Sequence, residues 1–207
     1  MITKNSIVLI AILSLLSMIA HANSEDTPDN WPCVQRYIPE LSAAVIWPNE
    51  LDEASTDEYS DDVDFQTNVN QLANRRKDLD AVNDKTTKYI TEQGGDQTQL
   101  TNTLFAGVFA KIQRERKRII QGIFRYTDRQ RKLGGRIEEK RRKIKSMVNA
   151  DGEADVEQLE DLEARQKWDI RAFREREKQL NYLCEQPVLL EQRLFSVAKN
   201  LQILLSE

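Results

Sequence analysis

The sequence predicts an all-α protein, an elongated antiparallel helical bundle with a long coiled-coil hairpin. Three observations predict it. An apolar seam runs from Phe105 to Met147 in alternating steps of four and three, the period of a coiled coil. After residue 22 no run alternates apolar and polar residues over a useful length, so strands have no support. A turn-forming stretch, Asn149-Ala150-Asp151-Gly152-Glu153, divides two helical stretches of similar length.

Residues 1–22 read as an export signal. Lys4 gives a positive start, Ser6 to Ala20 an apolar stretch, and Ala20-His21-Ala22 a small-x-small cleavage site. Cleavage after Ala22 leaves a mature chain beginning at Asn23. The competing reading, an uncleaved anchor, falls short of the roughly 18 apolar residues a span needs.

Residues 23–60 form a Trp/Pro/Cys segment and an acidic linker. Pro28, Pro32, Pro39 and Pro48 punctuate it, and Trp31-Pro32-Cys33 is followed by Tyr37, Ile38, Leu41 and Trp47. Glu50 to Asp64 contains eight Asp and Glu and no Lys or Arg. It lacks the spacing and central glycine of a calcium-binding hand. It is expected to be a tether lying on the chain's own basic helix.

Residues 61–207 form the helical coiled-coil domain. The first helix is expected over Asp61–Gln93. Ser60 would cap it, Asp61, Asp62 and Asp64 suit its first turn, and Gly94-Gly95 stops it. Its stripe includes Phe65, Val69, Leu72, Val82, Tyr89 and Ile90. The second helix, capped by Asp96, should cover Gln97–Val148, about 78 Å at 1.5 Å per residue. Its seam opens with Phe105, Phe109 and Ile112 and is interrupted by Arg116, Gln130 and Lys140. A bend is expected at Gly134-Gly135. A third helix runs from Ala154 to Cys184, Gln186-Pro187 ends it, and a fourth covers Val188–Ser206. The last two together nearly match the second in length, so the chain can fold back along it.

Charge is unevenly distributed. Residues 111–145 hold 15 Lys and Arg against four Asp and Glu, whereas 151–163 hold seven acids and no base. A hairpin turning at 149–153 is expected to set those acids opposite Arg136, Lys140, Arg141, Arg142, Lys143 and Lys145 and so fix its register.

Composition excludes much chemistry. The chain carries 30 Lys and Arg against 34 Asp and Glu, a net charge of −4, against a general nucleic-acid binder. Its one histidine, His21, lies in the export signal. A mature chain without histidine lacks the usual general base and the commonest metal and haem ligand. Pairs such as Glu138-Glu139 have no pocket in a thin bundle. No enzymatic activity, cofactor or metal is therefore expected.

Cys33 and Cys184 form no CxxC pair. In an exported chain they suggest one disulfide, closed within the chain or made between two copies. Trp31, Tyr37 and Trp47 are candidates for a docking patch, or for core packed beside Cys33. Arg141, Arg142 and Lys143 are candidates for contact with an anionic surface, or for solvated surface partly neutralised by the hairpin acids.

The hairpin arrangement resembles exported coiled-coil proteins such as Skp-like chaperones and the hairpins of secretion-system adaptors. The departures are an acidic overall charge and no β-rich regions flanking the hairpin. The expected role is a non-enzymatic periplasmic scaffold or adaptor in a bacterial cell envelope. The alternative is a periplasmic holdase chaperone with a helical-hairpin cradle. The expected partner is another exported or envelope protein, not nucleic acid. An anionic membrane surface and a second copy of the chain also fit the pattern.

Overall fold

A computed structural model describes residues 27–51, 55–149 and 155–206. The export signal expected over residues 1–22 and most of the turn at 149–153 lie outside them. The described residues form no strand and the following helices: α1 (Ala43–Ile46), α2 (Ser55–Glu58), α3 (Val63–Ala73), α4 (Leu79–Gln93), α5 (Gln97–Val148) and α6 (Val156–Ser206). The protein is all-α.

α5 and α6 are 52 and 51 residues long and pack along each other antiparallel. Every residue of the predicted α5 seam, Phe105 to Met147, is buried or half-buried. Asp96 caps α5 by accepting from Gln99 N at 3.0 Å, and the helix runs unbroken through Gly134 and Gly135.

The bundle has a thick base and a thin arm. In the base, Phe65, Val69 and Leu72 of α3 and Val82 and Ile90 of α4 meet Leu104, Phe105 and Val108 of α5. Leu190, Leu194 and Val197 of α6 complete this core. A Cβ on Gly107 would come within 3.0 Å of Val69 Cγ2, so this glycine lets α3 approach α5 closely. Beyond Ile123 only Gln130 and Leu133 of α5 are fully buried, and α6 buries no residue before Cys184. Two helices alone can cover one face of each other but not both.

The single first helix expected over Asp61–Gln93 is instead two, α3 and α4. Asp62, not Ser60, caps α3, accepting from Phe65 N at 2.9 Å. Asp78 caps α4, accepting from Ala81 N at 2.9 Å. The turn between them is held by Arg193 of α6, buried in the base. Its guanidinium donates to Leu72 O (2.7 Å), Lys77 O (3.0 Å) and Gln71 O (3.2 Å). A cation there satisfies carbonyls that a helix C-terminus leaves unpaired.

The break expected at Pro187 is absent. Pro187 lies buried within α6. Gln186 Nε2 donates to Tyr182 O at 2.8 Å, and Arg75 Nη1 reaches Gln186 O at 3.5 Å. These contacts, and base packing that needs Leu190 and Leu194 in line with the arm, outweigh a proline cost of about 3 kcal/mol.

Candidate interaction surface

Cys33 and Cys184 are joined within the chain across a separation of 151 residues, with Cα atoms 5.6 Å apart. The bridge ties the N-terminal segment to α6 at the junction of base and arm. Beside it Trp31 packs at ring-centroid distances of 5.2 Å from Tyr37 and 5.6 Å from Phe124 on α5, and Tyr37 lies 5.7 Å from Phe124. The Trp31 indole donates to Gln35 O at 2.8 Å. Trp31 and Tyr37 are half-buried and hold their segment against the bundle.

Of the two readings open for Trp47, docking patch or core, the structure places its side chain in the core of the base. It is 2% exposed, stacks on Phe105 at 4.2 Å, and donates its indole N–H to Asn102 Oδ1 at 3.0 Å. A large aromatic side chain contributes most when its flat faces are covered and its polar edge is satisfied. Part of the acidic stretch also lies on the bundle, because Thr56 and Asp57 of α2 line a shallow cleft with Phe109 and Arg114 of α5.

The two long helices are joined by polar contacts across their seam, in the base and along the arm. Arg116 Nε meets Glu191 Oε1 at 2.7 Å, and its Nη1 donates to Pro39 O at 3.2 Å. Tyr126 donates its hydroxyl to Arg176 O and Gln130 its amide to Phe173 O, both at 2.7 Å. Burial raises the Tyr126 phenol pKa, opposed by Arg176. Lys140 pairs with Asp169 at 2.9 Å, and Gln166 donates to Ile137 O at 3.4 Å. The polar residues that interrupt the α5 seam are thus the ones that reach across to α6. Each makes its cross-helix contact in this register, although the Gln130 Oε1 stays buried without a partner among the described residues. A slipped pairing would also cost the contacts of Arg116, Lys140 and the Gln130 amide N–H.

Among the described residues the expected pairing of the 151–163 acids with the α5 bases does not form, and Asp151 and Glu153 lie outside those residues. Asp161 pairs with Arg165 and Glu163 with Lys167, each within α6. Of the bases named, Lys140 crosses the hairpin, and it reaches Asp169 rather than the acids at 151–163. The nearer partner wins because i,i+4 neighbours on one helix already face each other. Arg141, Arg142 and Lys143 are exposed far from the base. Arg141 pairs with Glu138 at 2.8 Å, and its hydrogen bond lowers the Glu138 carboxyl pKa.

The arm also carries large apolar side chains that the seam does not use. Trp168 and Tyr182 on α6 are 67% and 68% exposed. They lie two heptads apart, which places them on one face, turned away from α5. Between the helices a groove of about 320 Å³ is lined by Gly134, Ile137, Ile170, Phe173, Arg174 and Glu177. Sequence reading overlooked Trp168 and Arg193. Trp168 had a local signal, since it falls between the seam positions Gln166 and Ile170.

Among the described residues no group of three or more His, Cys, Asp or Glu could hold a metal, and no helix is long and apolar enough to cross a membrane. No family model, curated protein or solved structure matches the chain.

Proposed function

We propose that the protein is a non-enzymatic, exported scaffold or adaptor of the periplasm. Its stapled base supports an arm, and α6 of that arm docks another envelope protein. The observation that carries this reading is the exposure of Trp168 and Tyr182 on an arm whose register is held by Lys140–Asp169, continuing from Arg116–Glu191 in the base. Exposed aromatics on a pre-ordered helix bind at low entropic cost, and such residues dominate interface energetics. The Cys33–Cys184 bridge supports an oxidising compartment.

Two variants test the reading, Trp168→Ala with Tyr182→Ala, and a chain in which residues 140–165 are replaced by a short Gly-Ser connection. The aromatic double variant is expected to lose a discrete crosslinked partner while melting at the parental temperature. The shortened chain separates docking along the arm from docking at its tip. Capture that survives in both variants would sink the proposal. Stoichiometric suppression of aggregation of many unrelated unfolded chains would favour the holdase reading instead.

A further inference from the structure

A second row at coiled-coil spacing runs along α5, and it is basic. Arg118, Arg125, Arg129, Lys132, Arg136 and Lys143 follow one another in steps of seven, four, three, four and seven. Steps of that kind keep residues on one helix face. None of the six is a seam residue, and all are exposed. Among the described residues none of them pairs with a carboxylate. The acids nearest in sequence are Glu115, Asp128, Glu138 and Glu139. Glu138 is occupied by Arg141, and Glu139 falls in the row's own register between Arg136 and Lys143.

The row spans residues 118 to 143 of one unbroken helix, about 38 Å at 1.5 Å per residue. A line of cations on a straight rod can touch a plane all at once. The row contains no large apolar side chain, whereas the core of a protein interface is apolar and poor in lysine. Charge is also segregated along the chain, which is acidic overall but holds 15 bases against four acids over 111–145. Two of the hairpin acids that would cancel this field, Asp161 and Glu163, are paired within α6 instead.

We propose that this face of α5 docks on a bilayer surface carrying anionic phosphate headgroups. The face is distinct from the one bearing Trp168 and Tyr182, so it stands or falls independently of the scaffold reading. It aligns the arm parallel to the membrane plane and leaves α6 free.

The test is sedimentation of the full, disulfide-bonded protein with phosphatidylcholine vesicles, with and without phosphatidylglycerol. Binding is expected only to the anionic vesicles. It should weaken steeply as added salt shortens the screening length from about 10 Å at 0.1 M to about 3 Å at 1 M. Each cation at such a surface contributes roughly a fivefold factor. Arg125→Gln with Arg129→Gln and Lys132→Gln should therefore weaken binding roughly 100-fold. Lys85→Gln with Lys88→Gln and Lys199→Gln changes net charge equally off the row and should leave binding within a few-fold of the parent. A charge-conserving set, Arg125→Lys with Arg129→Lys, should retain binding and so separates loss of charge from loss of fold. Absence of binding to anionic vesicles, or equal loss in both triple variants, would overturn the proposal. So would displacement by inorganic phosphate at matched phosphate concentration, the mark of a single-phosphate site. Displacement by duplex DNA at matched phosphate would overturn it in favour of nucleic acid.

Discussion

Arg116 and Glu191 meet at 2.7 Å inside the helix–helix seam, where Arg116 retains 4% side-chain exposure and Glu191 26%. The same guanidinium reaches Pro39 O of the N-terminal segment. One side chain thus links α5, α6 and the segment that carries Cys33.

Removing one partner of this pair should cost more than removing both. Glu191→Ala strands a buried cation and is expected to destabilise the fold by about 2–3 kcal/mol, discounted for the partial exposure of Glu191. Arg116→Met with Glu191→Leu should come within about 1 kcal/mol of the parent. Urea unfolding of the two variants checks this, and a double variant no more stable than the single one would contradict it.

Arg193 should be harder to replace than its surroundings suggest. Its pKa is lowered by burial, with Asp78 opposing that shift, and it serves three backbone carbonyls. Arg193→Ala is expected to destabilise by about 2–4 kcal/mol, since it leaves carbonyls of the α3–α4 turn unpaired in the core. Arg193→Lys should recover only part of this, because an ammonium cannot span all three acceptors. Hydrogen exchange at residues 71–82 in the lysine variant should be faster than in the parent and should otherwise match it across α5.

Reducing the Cys33–Cys184 bridge should free the N-terminal segment before the bundle melts. A loop closed over 151 residues contributes at most about 5 kcal/mol by the entropy it removes from the unfolded chain. Cys33→Ser with Cys184→Ser should lower the urea midpoint and speed proteolysis around residues 27–41, leaving helix content nearly unchanged. Intact mass after alkylation without reductant should show no accessible thiol in the parent.

Alkaline stability should depend on Tyr89. Its hydroxyl is buried without a hydrogen-bond partner among the described residues. Burial first, then Asp62, Tyr59 and Asp64, push its pKa from 10.0 to about 12. The folded state therefore holds the phenol proton more tightly than the unfolded state. That contribution is complete below pH 10 and is lost as pH rises from 10 to about 12. Tyr89→Phe should be at least as stable as the parent at neutral pH, because it removes a buried hydroxyl without a partner, and should lose less stability across this window. Parallel pH slopes for the two proteins would rule the account out.

The seam was legible in the sequence because its period is a local property. Residues from Phe105 to Met147 announce a buried face with no knowledge of what covers it. Arg116, Gln130 and Lys140 were visible as interruptions, but their partners were not. Glu191, the Phe173 carbonyl and Asp169 become neighbours only once α6 is laid back along α5 in register. The division of the first helix was half visible, since Asp78 is a good cap. What makes the turn stable is Arg193, more than a hundred residues away, and no local pattern names it. Pro187 misled for the same reason: local rules break the helix there, and packing on both sides of the proline keeps it continuous. Trp47 was open to both a docking and a core reading because its cover, Phe105, and its acceptor, Asn102, lie on a helix distant in sequence.

The most direct test of the scaffold account is site-specific photocrosslinking in living cells, with the reactive group at position 168 or 182 and a control at the exposed base residue Lys88. The account predicts one discrete crosslinked species from positions 168 and 182, carrying the same envelope protein, and none from position 88. No crosslink from either arm position, or a broad spread of unfolded exported proteins from both, would contradict it.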